Sequence, residues 1–254
     1  MRSYYRTKKE VLEYYSRLSR NYDEKRLGHV KGRLMSIFQI EWFLSMLGTR
    51  HSKLLEVGSG TGRLTSYLPN VSNLLIATDA NLSMLRILKE RISLQRARQQ
   101  TELILCDASY LPLREKSIDG VIAARIFWHL SDFEKAIKES LRTLRNKGLL
   151  LFDFPNKTGP FMLVNKLYKT KNDVLTLFTT SNHLKTLGKN ANVNVELVGS
   201  ISCFLFFLPE KLFNMTRLNN ILVHLSTLLE RLGLFWPFKE FMSYWLVIYE
   251  KSKF

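Results

Sequence analysis

The chain lacks a long uninterrupted apolar segment. Its longest hydrophobic stretch, residues 201–208, is shorter than the roughly 20 residues that a helix needs to cross a bilayer. The N-terminal residues contain no hydrophobic region of the signal-peptide kind, so we expect no secretory leader. Only two cysteines occur among 254 residues, too few for a disulfide framework. With Cys106 in a predicted buried strand, these absences predict a cytoplasmic protein.

Acidic residues are scarce relative to basic ones. There are 22 Asp and Glu residues against 38 Lys and Arg residues, which gives a formal net charge of +16. The basic residues crowd residues 2–33 and 86–98. Such a surface attracts RNA, an anionic membrane surface or an anionic substrate, although solvated helix faces would give the same count. No RNA-binding module accompanies the charge, and a hydrophobic fraction of 46% suits one α/β domain.

A glycine-rich turn follows the first predicted buried strand. Glycines occupy positions 58, 60 and 62, directly before a helix that is predicted to begin near Arg63. Glycines at alternate positions leave the main chain open to a ligand, and N–H groups at a helix start face the same side. A dinucleotide site would have a third small residue where Arg63 stands, and no Gly-Lys-Ser/Thr sequence follows for ATP. The turn therefore predicts a ligand other than NAD or ATP.

Acidic residues follow the next two predicted strands. Asp79 ends the buried strand predicted at 74–79, and Asp107 follows the strand predicted at 103–106. Asp79 lies about 20 residues beyond the turn, the interval at which an acid binds a ribose diol in open α/β sheets. The remaining alternation comprises two strands and three connecting helices, at 120–124, 149–153, 62–68, 81–98 and 131–145. This pattern predicts a Rossmann-like α/β fold with an open, mostly parallel sheet and helices on both faces.

Three segments resemble the class I S-adenosylmethionine-dependent methyltransferases. They read E-V-G-S-G-T-G at 56–62, T-D-A-N-L-S-M-L at 78–85 and C-D-A-S-Y-L-P-L-R-E-K-S-I-D-G-V-I-A-A at 106–124. The similarity is greatest to the type 11 small-molecule group, which is similar to the ubiquinone and menaquinone C-methyltransferases. It implies seven strands, with residues 192–198 and 244–249 forming a C-terminal antiparallel hairpin. It also implies S-adenosyl-L-methionine as the cofactor, without a metal.

The resemblance assigns particular residues to the cofactor. It implies that the turn carries the methionine portion and that Asp79 accepts hydrogen bonds from both ribose hydroxyls. Asp107 would meet the adenine amino group, the N–H of Ala108 an adjacent ring nitrogen, and Glu56 would orient the turn and the ammonium group. The full implied set is Glu56, Gly58, Ser59, Gly60, Gly62, Asp79, Ala80, Met84, Asp107, Ala108 and Ala124.

The acceptor side is predicted to follow the fourth strand. His129 stands where many relatives carry histidine, and it would suit a base for an O- or N-acceptor or pack beside the next helix. Arg125 replaces a small or apolar residue of the relatives, and it either anchors an acidic group or extends to solvent. Tyr22 lies in a segment that resembles the Tyr-Asp sequence which covers the cofactor in this family. Alternatively, Tyr22 is an ordinary aromatic residue at the end of a helix. Arg125, His129 and Tyr22 are the candidate catalytic residues.

We expect one methyltransferase domain with four parts. Residues 1–48 form a helical cap, 49–200 the cofactor-binding core, 201–243 a helical insertion and 244–254 the last strand. The insertion is predicted to cover the ligand, to pack on the sheet or to present a partner or membrane surface. The expected function is methyl transfer to a small, partly apolar or anionic acceptor. The alternatives are a tRNA or rRNA methyltransferase that uses the basic surface, and a non-catalytic scaffold.

Overall fold

A seven-stranded sheet forms the centre of the fold. The structure, a computed structural model, describes residues 7–48, 51–93, 100–159, 162, 176–200 and 242–252. The strands are β1 (His51–Val57), β2 (Ser72–Asp79), β3 (Thr101–Leu105), β4 (Ile118–Ala123), β5 (Leu144–Pro155), β6 (Val193–Ser200) and β7 (Tyr244–Lys251). Their order across the sheet is β3-β2-β1-β4-β5-β7-β6.

The strand pairing confirms the predicted fold class. Strands β1 to β5 pair in parallel, and β7 lies antiparallel between β5 and β6. From β1 the chain runs outward to β2 and β3, then returns to add β4 and β5 on the other side. The sheet therefore has a topological switch point between β1 and β4, where open α/β sheets bind ligands at the carboxyl ends of the strands.

Helices cover both faces of the sheet. They are α1 (Lys8–Leu18), α2 (Tyr22–Leu27), α3 (Val30–Leu47), α4 (Leu82–Ser93), α5 (Phe133–Thr143) and α6 (Ser181–Asn190). On one face, Phe43 and Leu47 of α3 pack with Leu54 of β1. On the other, Ile137 of α5 and Leu184 of α6 belong to a large cluster that includes Val121 of β4 and Phe152 of β5. Burial of these apolar side chains on both faces fixes the register of the central strands.

The predicted N-terminal cap comprises three α-helices and a short 3₁₀ helix within residues 7–48. A capping box begins α1, because the Thr7 hydroxyl accepts from the N–H of Glu10 while the Glu10 carboxylate accepts from the N–H of Thr7. A short 3₁₀ helix, Ser19–Asn21, then separates α1 from α2. Helices α1 and α2 lie over the carboxyl edge of the sheet.

The helix expected at 62–68 does not form. The described chain makes successive turns there and ends in a 3₁₀ helix at Leu68–Asn70. Gly62 has a φ of +90°, which a right-handed helix does not allow, and the Ser66 hydroxyl donates to the Gly62 carbonyl. Helix α6 was not predicted, although the Thr180 side chain caps its start by accepting from the N–H of His183 at 3.3 Å.

The predicted insertion, residues 201–243, lies almost entirely outside the described residues. Its expected apolar helix and aromatic side chains fall in 201–241 and are therefore not described. Within the part of the chain that the structure describes, no helix has the length and apolar character needed to cross a membrane. Cys106 follows β3 instead of lying inside it, and it is only partly buried.

Candidate functional site

Two adjoining cavities lie at the carboxyl edge of the sheet, beneath α1 and α2. The larger cavity runs from the glycine turn to the ends of β2 and β3. It is lined by Lys8, Val11, Leu12, Tyr15, Tyr22, Val57, Gly58, Gly60, Thr78, Asp79, Ala80, Asn81, Met84, Cys106, Asp107, Ala108, Arg125, Ile126, His129 and Leu130. The smaller cavity lies between the turn and α2, and it is lined by Tyr22, Asp23, Arg26, Leu27, Glu56, Gly58, Ser59, Gly60, Thr61, Arg63, Leu64, Ala124 and Arg125.

The glycine turn forms the shared floor of both cavities. Gly58 has a φ of +72°, and a Cβ at this position would lie 2.8 Å from a side-chain carbon of Ile126. Gly60 has a φ of +56°, and its Cβ position has no atom within 4 Å. The Ser59 hydroxyl is buried and has no hydrogen-bond partner in the described structure. An open main-chain cradle beside an unsatisfied buried hydroxyl fits the polar methionine portion of S-adenosylmethionine.

Gly62, also predicted to bind the cofactor, lines neither cavity. A Cβ there would lie 2.4 Å from a side-chain carbon of Leu88 on α4. This glycine therefore permits close packing behind the turn, a role that its sequence position does not distinguish from ligand binding.

Asp79 lies at the end of β2, where its carboxylate stabilises the turn. Its two oxygens accept from the N–H of Gly60 at 2.9 Å and from the N–H of Asn81 at 2.8 Å. Burial raises the pKa of Asp79, although these backbone N–H groups favour its charged form. Each carboxylate oxygen retains a second acceptor position, so hydrogen bonds from a ribose diol are compatible with this arrangement.

Asp107 lies beyond the end of β3 on the opposite rim of the larger cavity. One oxygen accepts from the N–H of Ser109 at 2.9 Å, and the other pairs with the Lys8 ammonium. Partial burial opposes ionisation, but Lys8 and Ser109 together lower the pKa of Asp107. The predicted partner was an adenine amino group, and Lys8 occupies one of the two oxygens that this contact could use.

Glu56, near the end of β1, is buried beneath the turn with 2% of its surface exposed. The Thr65 hydroxyl donates to its carboxylate at 2.6 Å. Burial raises the pKa of Glu56 to about 7, because desolvation outweighs the hydrogen bond and the nearby Arg63 guanidinium. The hydrogen bond links the end of β1 to Thr65, which follows the turn, and the orienting role of Glu56 stays a prediction.

The three candidate catalytic residues share the larger cavity. Arg125 follows β4 with a φ of +61°, and its N–H donates to Asp153 at 2.5 Å. His129 ends a short 3₁₀ helix, and its Nε2 lies 3.4 Å from the Tyr15 hydroxyl. Tyr22 begins α2 and packs edge-to-face with Tyr15 at a centroid separation of 6.1 Å. The three predicted candidates therefore line one cavity, together with Tyr15, which the sequence did not identify.

The structure adds further residues that the sequence did not identify. Asn81 bridges the cavity rim to α1, since its amide nitrogen donates to the Leu12 carbonyl at 2.9 Å and to the Ser16 hydroxyl at 3.0 Å. Arg26 of α2 and Arg63 after the turn line the smaller cavity. In the sequence, Arg26 is visible only as one of the basic residues of the N-terminal region. Arg63 is visible only as the residue that departs from the dinucleotide-binding pattern. Neither feature indicates a site.

The sheet order and the C-terminal antiparallel hairpin agree with the resemblance to the class I methyltransferases. Residues 55–152 match the methyltransferase domain family. A SAM-dependent methyltransferase from Thermotoga maritima, described as a possible histamine N-methyltransferase, superposes with a TM-score of 0.65 at 17% identity. The superposition covers 94% of this chain and 99% of that one, which establishes the shared fold.

Sequence relatives agree with this assignment. An uncharacterized methyltransferase of Mycobacterium bovis is 35% identical over 111 residues, or 44% of this chain and 42% of that protein. A ubiquinone/menaquinone biosynthesis C-methyltransferase of Hahella chejuensis is 31% identical over 121 residues, or 46% of this chain and 48% of that protein. The chain thus spans less than half the length of either relative. The resemblance to the class I S-adenosylmethionine-dependent methyltransferases is confirmed.

Proposed function

We propose that this protein transfers the methyl group of S-adenosylmethionine to a small-molecule acceptor. The observation that carries the proposal is the convergence of Gly60, Asp79 and Asp107 on one cavity at the sheet's switch point. A main-chain cradle and two spaced carboxylates correspond to the methionine, ribose and adenine parts of the cofactor. The family match and the fold support the same cofactor.

The described residues fit the cofactor along the length of the larger cavity. Gly58 and Gly60 would accommodate the methionine portion, with the Ser59 hydroxyl available for a polar group. Asp79 would hold the ribose, while Ala80 and Met84, which line the same cavity, would lie beside the adenine. Asp107 and the N–H of Ala108 would bind the adenine edge after the Lys8 ammonium leaves. These assignments carry over the expectations from the sequence to positions that the fold brings together.

The chemistry requires little from the side chains. Bound S-adenosylmethionine supplies an already electrophilic methyl group, so the protein needs mainly to position the acceptor and exclude water. Helices α1 and α2 cover the cavity, with Tyr15 and Tyr22 on its wall. His129 would accept a proton from an O- or N-acceptor, and its contact with the Tyr15 hydroxyl would hold the imidazole in place. Arg125 would contact a polar or anionic part of the acceptor.

Two measurements test the proposal. Calorimetric titration with S-adenosylhomocysteine reports cofactor binding, and saturable binding is expected. Incubation with methyl-labelled S-adenosylmethionine and a metabolite extract should then place the label in small molecules. Failure to bind S-adenosylhomocysteine would favour the scaffold alternative. Label that appeared in RNA, but not in metabolites, would favour the tRNA or rRNA methyltransferase that the net charge of +16 supports.

A further inference from the structure

Three arginines gather around the smaller cavity, each from a different part of the chain. Arg26 comes from α2, Arg63 follows the glycine turn and Arg125 follows β4. Arg63 is held by the Ser36 hydroxyl at 2.9 Å and by Gln39 at 2.5 Å. Arg26 and Arg125 differ from Arg63 in the contacts of their guanidinium groups. Within the described ranges, no carboxylate or hydrogen-bond acceptor contacts the guanidinium of Arg26 or Arg125, and Arg26 lies only over the Tyr22 ring.

The carboxylates nearby balance only part of this charge, because Asp23 of the smaller cavity already pairs with Arg91. Asp153 is buried, with its oxygens occupied by the N–H of Arg125 at 2.5 Å and by Gln39 at 2.9 Å. Glu56 has a pKa raised to about 7 by burial, so near neutral pH it carries only part of a negative charge. Burial and repulsion by Arg26 both lower the pKa of Arg125. Burial and repulsion by Arg125 lower that of Arg63 to about 10. Three guanidinium groups thus face Asp153 and a partly ionised Glu56, and the cluster carries excess positive charge.

The cofactor cannot supply the missing negative charge. S-adenosylmethionine carries a sulfonium, an ammonium and one carboxylate, so its binding adds net positive charge to the same space. Its single carboxylate can neutralise at most one of the three guanidinium groups, which leaves excess positive charge in the cluster. Unpaired charges in a covered cavity are costly, and a second anion would relieve that cost.

We propose that the methyl acceptor carries a carboxylate or phosphate group, and that Arg26 and Arg125 bind this group. The inference rests on the proposed methyl-transfer function, and it selects an anionic acceptor over a purely apolar one. Guanidinium groups match the oxygen spacing of both anions and bind them through paired hydrogen bonds. Tyr15, Ile126 and Leu130 on the adjoining wall would contact an apolar body attached to that group.

The test compares wild type with Arg26→Gln, Arg125→Gln and the control Arg20→Gln, an exposed arginine outside both cavities. Each protein is first titrated with S-adenosylhomocysteine and with methylthioadenosine, which lacks the amino-acid portion. The S-adenosylhomocysteine complex is then titrated with benzoate and with phenyl phosphate at constant ionic strength. We expect the wild type and Arg20→Gln to bind at least one of these anions. Either cavity variant should weaken that binding about tenfold or more while retaining S-adenosylhomocysteine affinity.

Other outcomes would overturn the inference. Wild-type protein that binds S-adenosylhomocysteine but neither anion would refute the anionic acceptor while leaving methyl transfer intact. Variants that lose S-adenosylhomocysteine affinity but keep that for methylthioadenosine would assign the arginines to the cofactor carboxylate instead. Circular dichroism checks folding, and Arg125→Lys, which keeps the charge, should retain part of the anion binding if Arg125→Gln proves unstable. The relative strength of benzoate and phenyl phosphate binding distinguishes a carboxylate from a phosphate acceptor.

Discussion

At the scale of single residues, the site depends on carboxylates that have different neighbours and therefore different tasks. Asp79 is already bonded to backbone N–H groups of the turn, so its orientation is fixed before a ligand binds. The Asp107 carboxylate pairs with the ammonium group of Lys8, whose side chain is largely exposed, and Glu56 is buried. Preorganised acceptors favour binding because little conformational entropy is lost when the ligand arrives.

Replacement of Asp79 with alanine should weaken S-adenosylhomocysteine binding by about 2–4 kcal/mol, since a charged acceptor of two hydrogen bonds is removed. Calorimetry measures the affinity, and Asp132→Ala, an exposed carboxylate outside both cavities, is the control. Because Asp79 also bonds the turn, Asp79→Asn should be tested for comparison. Unchanged affinity in a folded Asp79→Ala protein would refute the ribose assignment.

Glu56 should make stability depend on pH in a direction opposite to that of most carboxyl groups. Its folded pKa of about 7 exceeds its usual value of 4.5, so folding favours the protonated form. The protonated form contributes fully below pH 4.5, and stability should decline as pH rises from 4.5 to about 7, then level off. A pKa difference of that size corresponds to at most roughly 3 kcal/mol.

Urea denaturation of wild type and Glu56→Gln, from about pH 4 to about pH 9, measures this contribution. The titrations of all other groups largely cancel in the difference between the two free energies of unfolding. The stability of the variant relative to wild type should increase as pH rises through the 4.5 to 7 interval. A difference that stays constant over that range would show that Glu56 is ionised throughout.

His129→Ala should lower turnover by about 10²–10⁴-fold if the imidazole accepts a proton from the acceptor. Affinity for S-adenosylhomocysteine should remain close to that of wild type, because the predicted cofactor contacts involve other residues. Tyr15→Phe, which removes the hydroxyl at 3.4 Å from the imidazole, should cause a smaller loss. Equal turnover of wild type and His129→Ala would leave positioning alone to explain catalysis.

At the scale of elements, the sequence predicted those features whose signal is local. The buried strands, the glycine turn and the acids after β2 and β3 follow from residue patterns within short windows. The hairpin of β6 and β7 followed from the family resemblance. The prediction of a helix at 62–68 was wrong, because Gly62 and the Ser66 hydroxyl favour turns there.

Contacts between distant segments were beyond sequence reasoning. Lys8 meets Asp107 across 99 positions, and Tyr15 meets His129 across 114. No periodicity or composition encodes such pairs, because tertiary packing of α1 over the sheet edge creates them. Arg26 was visible only as one basic residue among many, and the fold alone brings it next to Arg125.

Helix α1 should control access to the adenine end of the cavity. Lys8 occupies the Asp107 carboxylate, so Lys8→Gln should strengthen S-adenosylhomocysteine binding, by up to about fivefold given the small energy of exposed ion pairs. Lys9→Gln, an exposed neighbour on the same helix, is the control. Calorimetry and stopped-flow fluorescence report affinity and association rate. Weaker binding by Lys8→Gln than by Lys9→Gln would instead place the ammonium in contact with the ligand.

At the scale of the whole molecule, the charge of +16 raises the question of a nucleic-acid partner. Part of this charge is already engaged inside the fold. Arg63 is bonded near the turn, and Lys8, Arg91 and Arg142 pair with carboxylates. The remainder would still attract RNA at low ionic strength, since phosphate contacts release counterions irrespective of sequence.

A small-molecule acceptor therefore predicts a particular salt dependence. Binding of a mixed-sequence RNA to the S-adenosylhomocysteine complex, followed by fluorescence anisotropy, should fall by about tenfold or more between roughly 50 and 200 mM salt, without preference between folded tRNA and unstructured RNA. Benzoate or phenyl phosphate binding should survive the same change, because partly covered charges are screened less than exposed ones. Arg20→Gln should reduce RNA binding slightly and leave anion binding intact, whereas Arg125→Gln should do the reverse. RNA would instead be the acceptor if its binding resisted salt, preferred tRNA and depended on Arg125. Nonspecific contacts with exposed charges cannot account for these three properties.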